Sequence, residues 1–230
     1  MLQEKDVDVE VVKAEEGEIF DIELEEDILK RNSKLAEENR SLLDRYGVTA
    51  IDVMGAIGSG KTALIEALAE RLKSRYKIAM IAGDVTTTID SMRVRRHGVE
   101  TVQVNTGKEC HLDANLINKA LRKLDLNTID LLFIENVGNL ICPAEFDLGA
   151  HKRIVVVSVT EGEHMVVKHP YIFLASDVAV INKIDLAEAM GVDPDKLCRD
   201  AEKIKPSIKV VKVSVKQGSG IEEVIKALDL

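Results

Sequence analysis

The octet Gly55-Ala56-Ile57-Gly58-Ser59-Gly60-Lys61-Thr62 constrains this chain more than any other stretch. It follows an apolar run, Ala50 to Met54, and precedes apolar residues at Leu64, Ile65, Leu68 and Leu72, whose spacing is helical. Gly-x-x-x-x-Gly-Lys-Thr between a strand and a helix is the phosphate-binding loop. Its glycines let the backbone wrap a polyphosphate at positive φ, where a Cβ would obstruct. The N–H groups opening the helix then face the anion along the favourable end of the helix dipole. Gly55, Gly58, Ser59, Gly60, Lys61, Thr62 and Ala63 are the expected nucleotide-binding residues. Lys61 would reach the β- and γ-phosphates and the Thr62 hydroxyl would bind Mg²⁺. A plain glycine-rich turn explains neither the matched octet nor both flanks.

Downstream, strand-like apolar runs alternate with helical patterns. Ile78–Ala82 leads into Gly83-Asp84 and three threonines, and Glu100–Val104 precedes a helical stretch, Leu112–Leu124. Leu131–Ile134 ends in Glu135-Asn136-Val137-Gly138, and Ile154–Val159, Val178–Ile181 and Val210–Val213 follow, with Ile221–Leu228 closing as a helix. Such alternation predicts an α/β P-loop NTPase fold, a mostly parallel doubly wound sheet with helices on both faces. Ligands of such sheets lie beyond the carboxyl ends of the strands. Asp84 and Glu135 are therefore candidates for catalysis and, with Thr62, for Mg²⁺, although an Asp after a strand also serves as a helix N-cap. No arginine is placed by motif as a finger, which predicts turnover on the order of 10⁻⁴ to 10⁻² s⁻¹ without partners.

Asn182-Lys183-Ile184-Asp185 names the base. A carboxylate at Asp185 accepts from guanine N1–H and the 2-amino group; adenine has neither donor and would leave it unpaired. The Lys183 stem can lie on the base plane. Ser214-Val215-Lys216 is placed to back the base. GTP is expected over ATP.

Composition bounds the setting. Residues 1–47 carry 15 acidic and 7 basic side chains, whereas residues 48–230 nearly balance, 25 against 24. The chain divides into an acidic N-terminal arm and helix, 1–47, and a P-loop GTPase domain, 48–230. Val7, Val9 and Val11 alternate as an edge strand would, or belong to a disordered arm. Asp21–Tyr46 reads as a charged helix stopped by Gly47, with a narrow stripe at Ile28, Leu35, Leu42 and Leu43 able to dock on the domain or on a second subunit. No extended basic surface suits nucleic acid; Arg93, Arg95, Arg96 and His97 read as a solvated helix end. No run nears the roughly 18 apolar residues of a membrane span, and MLQEKDVDVE is no signal peptide. The expectation is a cytoplasmic protein without nucleic-acid or membrane partners.

Three cysteines argue against a disulfide framework. Cys110-His111 and Cys142 together suit Zn²⁺ or Ni²⁺, but free cysteines also serve as small buried hydrophobes. Spacing leaves both readings open, and Cys198 has neither His nor Cys beside it. Three ligands fall short of a closed four-ligand site, which a symmetric dimer could complete.

The whole set resembles the hydrogenase-maturation nickel-insertion GTPases, the HypB family. The resemblance runs from about Ile28 to the C-terminus through GAIGSGKTALIEAL, GDVTTTID, NTGKECHLDANLINKAL, LLFIENVGNLICPAEFDLG, VSVTEGE, NKIDL and SVKQGSGIEE. It implies a homodimeric GTPase with an interface metal site at Cys110, His111 and Cys142 that delivers nickel to the [NiFe]-hydrogenase large-subunit precursor. A small nickel- and zinc-binding accessory protein is the implied partner. Residues 1–47 hold no Cys and no His, so the N-terminal nickel motifs and histidine-rich stores of some members are not expected. His164 and His169 stand where the family pattern has other residues, as extra ligands or drift. A urease-type nickel accessory GTPase is the sister alternative, although its Cys-Pro-His motif is replaced here by Cys110-His111. The other alternative is a regulatory switch GTPase with structural cysteines.

Overall fold

Seven strands line up in parallel in the order β3-β2-β4-β1-β5-β6-β7. They are β1 (Thr49–Met54), β2 (Ile78–Asp84), β3 (Glu100–Asn105), β4 (Leu131–Glu135), β5 (Lys152–Ser158), β6 (Val178–Asn182) and β7 (Lys209–Lys212). This computed structural model describes residues 22–84, 89–107 and 109–230. The Val7–Val11 pattern, Thr86–Thr88 and Lys108 lie outside the described residues.

Strands β4 and β6 are buried at every position, which is why they read as apolar runs up to Glu135 and Asn182 at their carboxyl ends: a parallel sheet is covered on both faces. On one face Ile51, Val53, Phe133, Val156 and Val180 pack under α2 (Lys61–Leu72) and, past the strands, α10 (Ile221–Ala227). On the other face there are two apolar clusters. Ala50, Leu132 and Ile134 meet α1 (Ile22–Tyr46) and α4 (Ala114–Leu121). Met54, Val155, Val157 and Ile181 meet α6 (Met165–Lys168), α7 (Pro170–Leu174) and α9 (Pro194–Ile204). The chain leaves β1 toward β2 on one side and later crosses to β5 on the other, so the phosphate loop opens where the winding direction reverses, the usual ligand crevice of doubly wound sheets.

Helix α1 ends where Gly47, at φ 68°, takes the left-handed cap conformation. Its docking face differs from the apolar stripe: Ile28 is exposed, and the buried positions are Asn32, Ala36, Asn39 and Leu43. Two of these are amides because they meet backbone groups and another amide rather than apolar side chains. Asn32 accepts from Ala114 N and donates to Asp147 O; Asn39 donates to Ala114 O and Leu148 O and accepts from Asn118. Helix α4 starts at Ala114 rather than Leu112, because the Asp113 carboxylate caps Leu116 N at 2.7 Å. No helix among the described residues is long and apolar enough to cross a membrane.

Candidate nucleotide and metal site

The phosphate loop is held open by contacts that forbid side chains. Gly55 (φ 144°) and Gly60 (φ 105°) would drive a Cβ into Val156 O and the Asn182 amide respectively. Lys61 Nζ lies 3.1 Å from both Gly55 O and Ala56 O, curled inside the loop. Thr62 Oγ1 donates to Glu135 Oε1 at 2.7 Å. Lys61, Thr62, Asp84, Arg93, Glu135 and Gly138 share a cavity of about 450 Å³ at the carboxyl ends of β1, β2 and β4. Hydroxyl and carboxylate oxygens side by side fit a hard cation such as Mg²⁺, and Asp84 opens into the same space. Arg93, on the short helix α3 (Ile89–Arg95), donates to Glu66 at 2.6 Å. The basic cluster therefore contributes one cation to this cavity besides its solvated end.

The Asn182–Asp185 segment is tied directly to the phosphate loop. Asn182 is buried; its amide donates to Ser59 O at 2.8 Å, and its oxygen accepts from Lys183 N and Val215 N. Lys183 takes φ 60°, uncommon outside glycine, and reaches Gly58 O at 2.7 Å. Ser214 donates to Asp185 at 2.6 Å, fixing one carboxylate oxygen. Ser214 is itself held by bonds with Ser219 and Gln217, whereas among the described residues no hydrogen bond of Lys216 contributes to this arrangement. The four motif residues and the two loops thus form one rim.

Cys110, His111 and Cys142 converge, each offering a ligand atom within 4.8 Å of the others. The two sulfurs stand 3.0 Å apart, and Cys110 Sγ is 3.9 Å from His111 Nδ1. His111 stacks on Phe146 with ring centroids 3.8 Å apart. Burial lowers its pKa and favours the neutral, ligating imidazole. Hydrogen bonding with Cys110, and then burial, push the Cys142 thiol up, so a cation must displace a proton to bind it. Two sulfurs and an imidazole suit a soft or borderline cation such as Ni²⁺ or Zn²⁺. Cys142 opens a short helix, α5 (Cys142–Glu145), with Pro143 in its first turn. Cys198 stays on α9, half-buried and outside this group. His164 pairs with Glu163 and His169 bonds Met165 O; neither joins the metal cluster.

Residues that motif reading passed over hold these parts together. Asn136 accepts from Leu112 N at 3.1 Å and donates to Asp52 at 3.2 Å. Arg153 pairs with Asp52 and donates to the carbonyls of Pro143 and Ala144. A charged pair inside apolar strands was the available signal.

The fold and the site together define a P-loop nucleotide-binding protein with a Cys/His cluster beside its nucleotide crevice. Residues 49–212 match the family model described as "CobW/HypB/UreG, nucleotide-binding domain". The "Probable hydrogenase maturation factor HypB" of Methanocaldococcus jannaschii is 56% identical over 208 residues, which cover 90% of this chain and 94% of that one. The crystal structure of the hydrogenase maturation factor HypB from Archaeoglobus fulgidus superposes with TM-score 0.82 at 50% identity, covering 87% of this chain and 98% of that one. That of HypB from Helicobacter pylori in complex with nickel gives 0.81 at 35%, covering 86% and 93%. The chain belongs to the HypB family of hydrogenase maturation factors.

Proposed function

We propose that this chain is a GTP-hydrolysing metallochaperone that carries nickel at a Cys/His site and hands it on during [NiFe]-hydrogenase maturation. One observation carries the reading: Glu135, bonded to the Mg²⁺-ligand candidate Thr62, lies only seven residues before Cys142, a member of the metal cluster. Nucleotide state and metal site thereby share one short segment.

Lys61 leaves its carbonyl partners to meet the β- and γ-phosphates, while the loop's N–H groups cradle them. Thr62, Asp84 and Glu135 would hold Mg²⁺, which offsets the phosphates' charge when bound. Asp185, oriented by Ser214, selects guanine. Arg93 is engaged with Glu66, so turnover without partners is slow, on the order of 10⁻⁴ to 10⁻² s⁻¹.

Cys110, His111 and Cys142 receive nickel or zinc as cargo. Three ligands per chain favour a homodimer that pools two sets across its two-fold axis. Ile57 and Ile141, 86% and 60% exposed beside the phosphate and metal loops, support a subunit contact there. Residues 48–230 act as the GTPase domain, with 1–47 as its N-terminal arm and docked helix. A small nickel- and zinc-binding accessory protein and the hydrogenase large-subunit precursor are the proposed partners.

The GTP state closes the shared site and hydrolysis loosens it, releasing nickel. Linkage makes the effect reciprocal, worth about 1–3 kcal/mol. Nickel affinity measured with a non-hydrolysable GTP analogue and with GDP tests this, with Cys142→Ala as the control that should lose binding. Equal affinities in the two nucleotide states refute the coupling.

A further inference from the structure

On the sheet face shared by the two smaller apolar clusters, a seam of polar residues runs directly beneath the metal-bearing segments. Asp52 in β1 and Arg153 in β5 are register partners of adjacent parallel strands. Their side chains meet at 3.5 Å between Asp52 Oδ2 and Arg153 Nε, and Asp52 is fully buried. Buried ion pairs rarely add stability over apolar packing, so this one calls for another explanation.

Each member reaches a different arm of the metal site. Asn136, 1% exposed, donates to Asp52 Oδ1 and accepts with its own oxygen from Leu112 N, the residue after His111. Arg153 donates through Nη2 to Pro143 O at 2.5 Å and through Nη1 to Ala144 O at 3.4 Å, the two carbonyls after Cys142. Asn136 also directly follows Glu135, whose carboxylate holds Thr62, and its backbone N–H is fixed to Val53 O at 3.0 Å. Neighbouring residues of one strand end thus face opposite ways. Glu135 addresses the phosphate cavity; Asn136 addresses the Cys110-His111 arm.

We propose that Asn136 is the positioning residue through which the nucleotide state reaches Cys110 and His111, and that the Asp52–Arg153 pair ties that arm to Cys142. A shift of Glu135 carries Asn136 with it and changes the spacing of the two arms, which share Asp52 as their common anchor. The inference rests on the metallochaperone reading and supplies its internal linkage. It adds a route to the Cys110-His111 arm besides the direct path along Val137–Ile141 to Cys142.

The test uses the full chain and Co²⁺ alone as the probe, whose thiolate bands report Cys ligation. Affinity is measured with GDP and with a non-hydrolysable GTP analogue, and unfolding midpoints are recorded for every variant. In the unaltered chain the two affinities should differ by about 5- to 150-fold. Asn136→Ala should still form the thiolate band, but with a ratio reduced to the share that the direct path to Cys142 carries. The reversed pair, Asp52→Asn with Asn136→Asp, keeps one donor and one acceptor across the contact and leaves an amide oxygen toward Arg153, so it should regain part of the ratio lost in Asn136→Ala. Arg153→Lys keeps the charge but loses the fork to Pro143 and Ala144; it should weaken Co²⁺ about 10- to 100-fold in both nucleotide states. A full ratio in Asn136→Ala, or a reversed pair as uncoupled as Asn136→Ala, overturns the inference alone. Should Asn136→Ala fail to fold, unchanged Co²⁺ affinity in Arg153→Lys overturns it instead. A ratio of one in the unaltered chain overturns the coupling reading itself, and this inference with it.

Discussion

Replacing Asp52 by Asn should remove a stability penalty that the native chain carries only above mildly acidic pH. Burial raises the Asp52 pKa from 3.8 to about 6, against the pull of Arg153 and Asn136, which lower it. The rise of about 2 units corresponds to about 3 kcal/mol. Below about pH 4 the carboxyl is protonated in folded and unfolded chains alike, and it contributes no pH dependence. Between about pH 4 and pH 6 the folded chain keeps a proton that the unfolded chain has lost, so stability falls as pH rises. Above about pH 6 both are ionised and the full penalty stands. Urea unfolding of the native chain and Asp52→Asn across this range isolates the group, because other titrations cancel in the difference. The variant's advantage should grow by about 3 kcal/mol from about pH 4 to about pH 7, whatever constant offset the substitution adds. A pH-independent difference would show that desolvation does not govern this carboxyl. A difference that shrinks with pH would mean the Arg153 pair outweighs burial, reversing the sign.

Lys61→Ala should abolish GTP hydrolysis and weaken triphosphate binding, read by phosphate release and by titration with a GTP analogue; intact activity would refute the phosphate-loop role. Asp185→Asn should turn base preference from guanine to xanthine, because the amide then faces a carbonyl at position 2; competition among GTP, XTP and ATP decides it, and unchanged discrimination places base reading elsewhere. Asn39→Ala strips hydrogen bonds from Ala114 O, Leu148 O and Asn118 in a buried contact. It should cost about 3–5 kcal/mol in denaturant unfolding. A loss under about 1 kcal/mol would mean water takes over those partners.

Much of the molecule is legible along the chain because its signals are local. Gly-x-x-x-x-Gly-Lys-Thr is a contiguous loop whose backbone shape is dictated by its own glycines. Buried strands such as β4 and β6 announce themselves because helices cover both faces, leaving apolar residues at every position up to Glu135 and Asn182 at their carboxyl ends. The Asn182–Asp185 motif is equally contiguous, and the reading proposed for it is complementarity to one base. Spacing alone could not separate ligating cysteines from buried ones; only the fold brings Cys110 and Cys142, 32 positions apart, together with His111 into a group that could hold a cation.

What only the tertiary structure decided is whatever depends on partners distant in sequence. Asn32 and Asn39 look like solvated helix residues until Ala114, Asp147 and Leu148 are brought against them. Arg93 reads as one charge in a basic helix end until α3 turns it toward the phosphate cavity. Asp52 in particular breaks an otherwise apolar strand, and its reason lies in Arg153 and Asn136, which are 101 and 84 positions away. The physical cause is common to all three. Backbone conformation and apolar periodicity are encoded over a few neighbouring residues, but a polar group inside the fold is tolerated only where its partners arrive, and the packing of distant elements determines which partners those are.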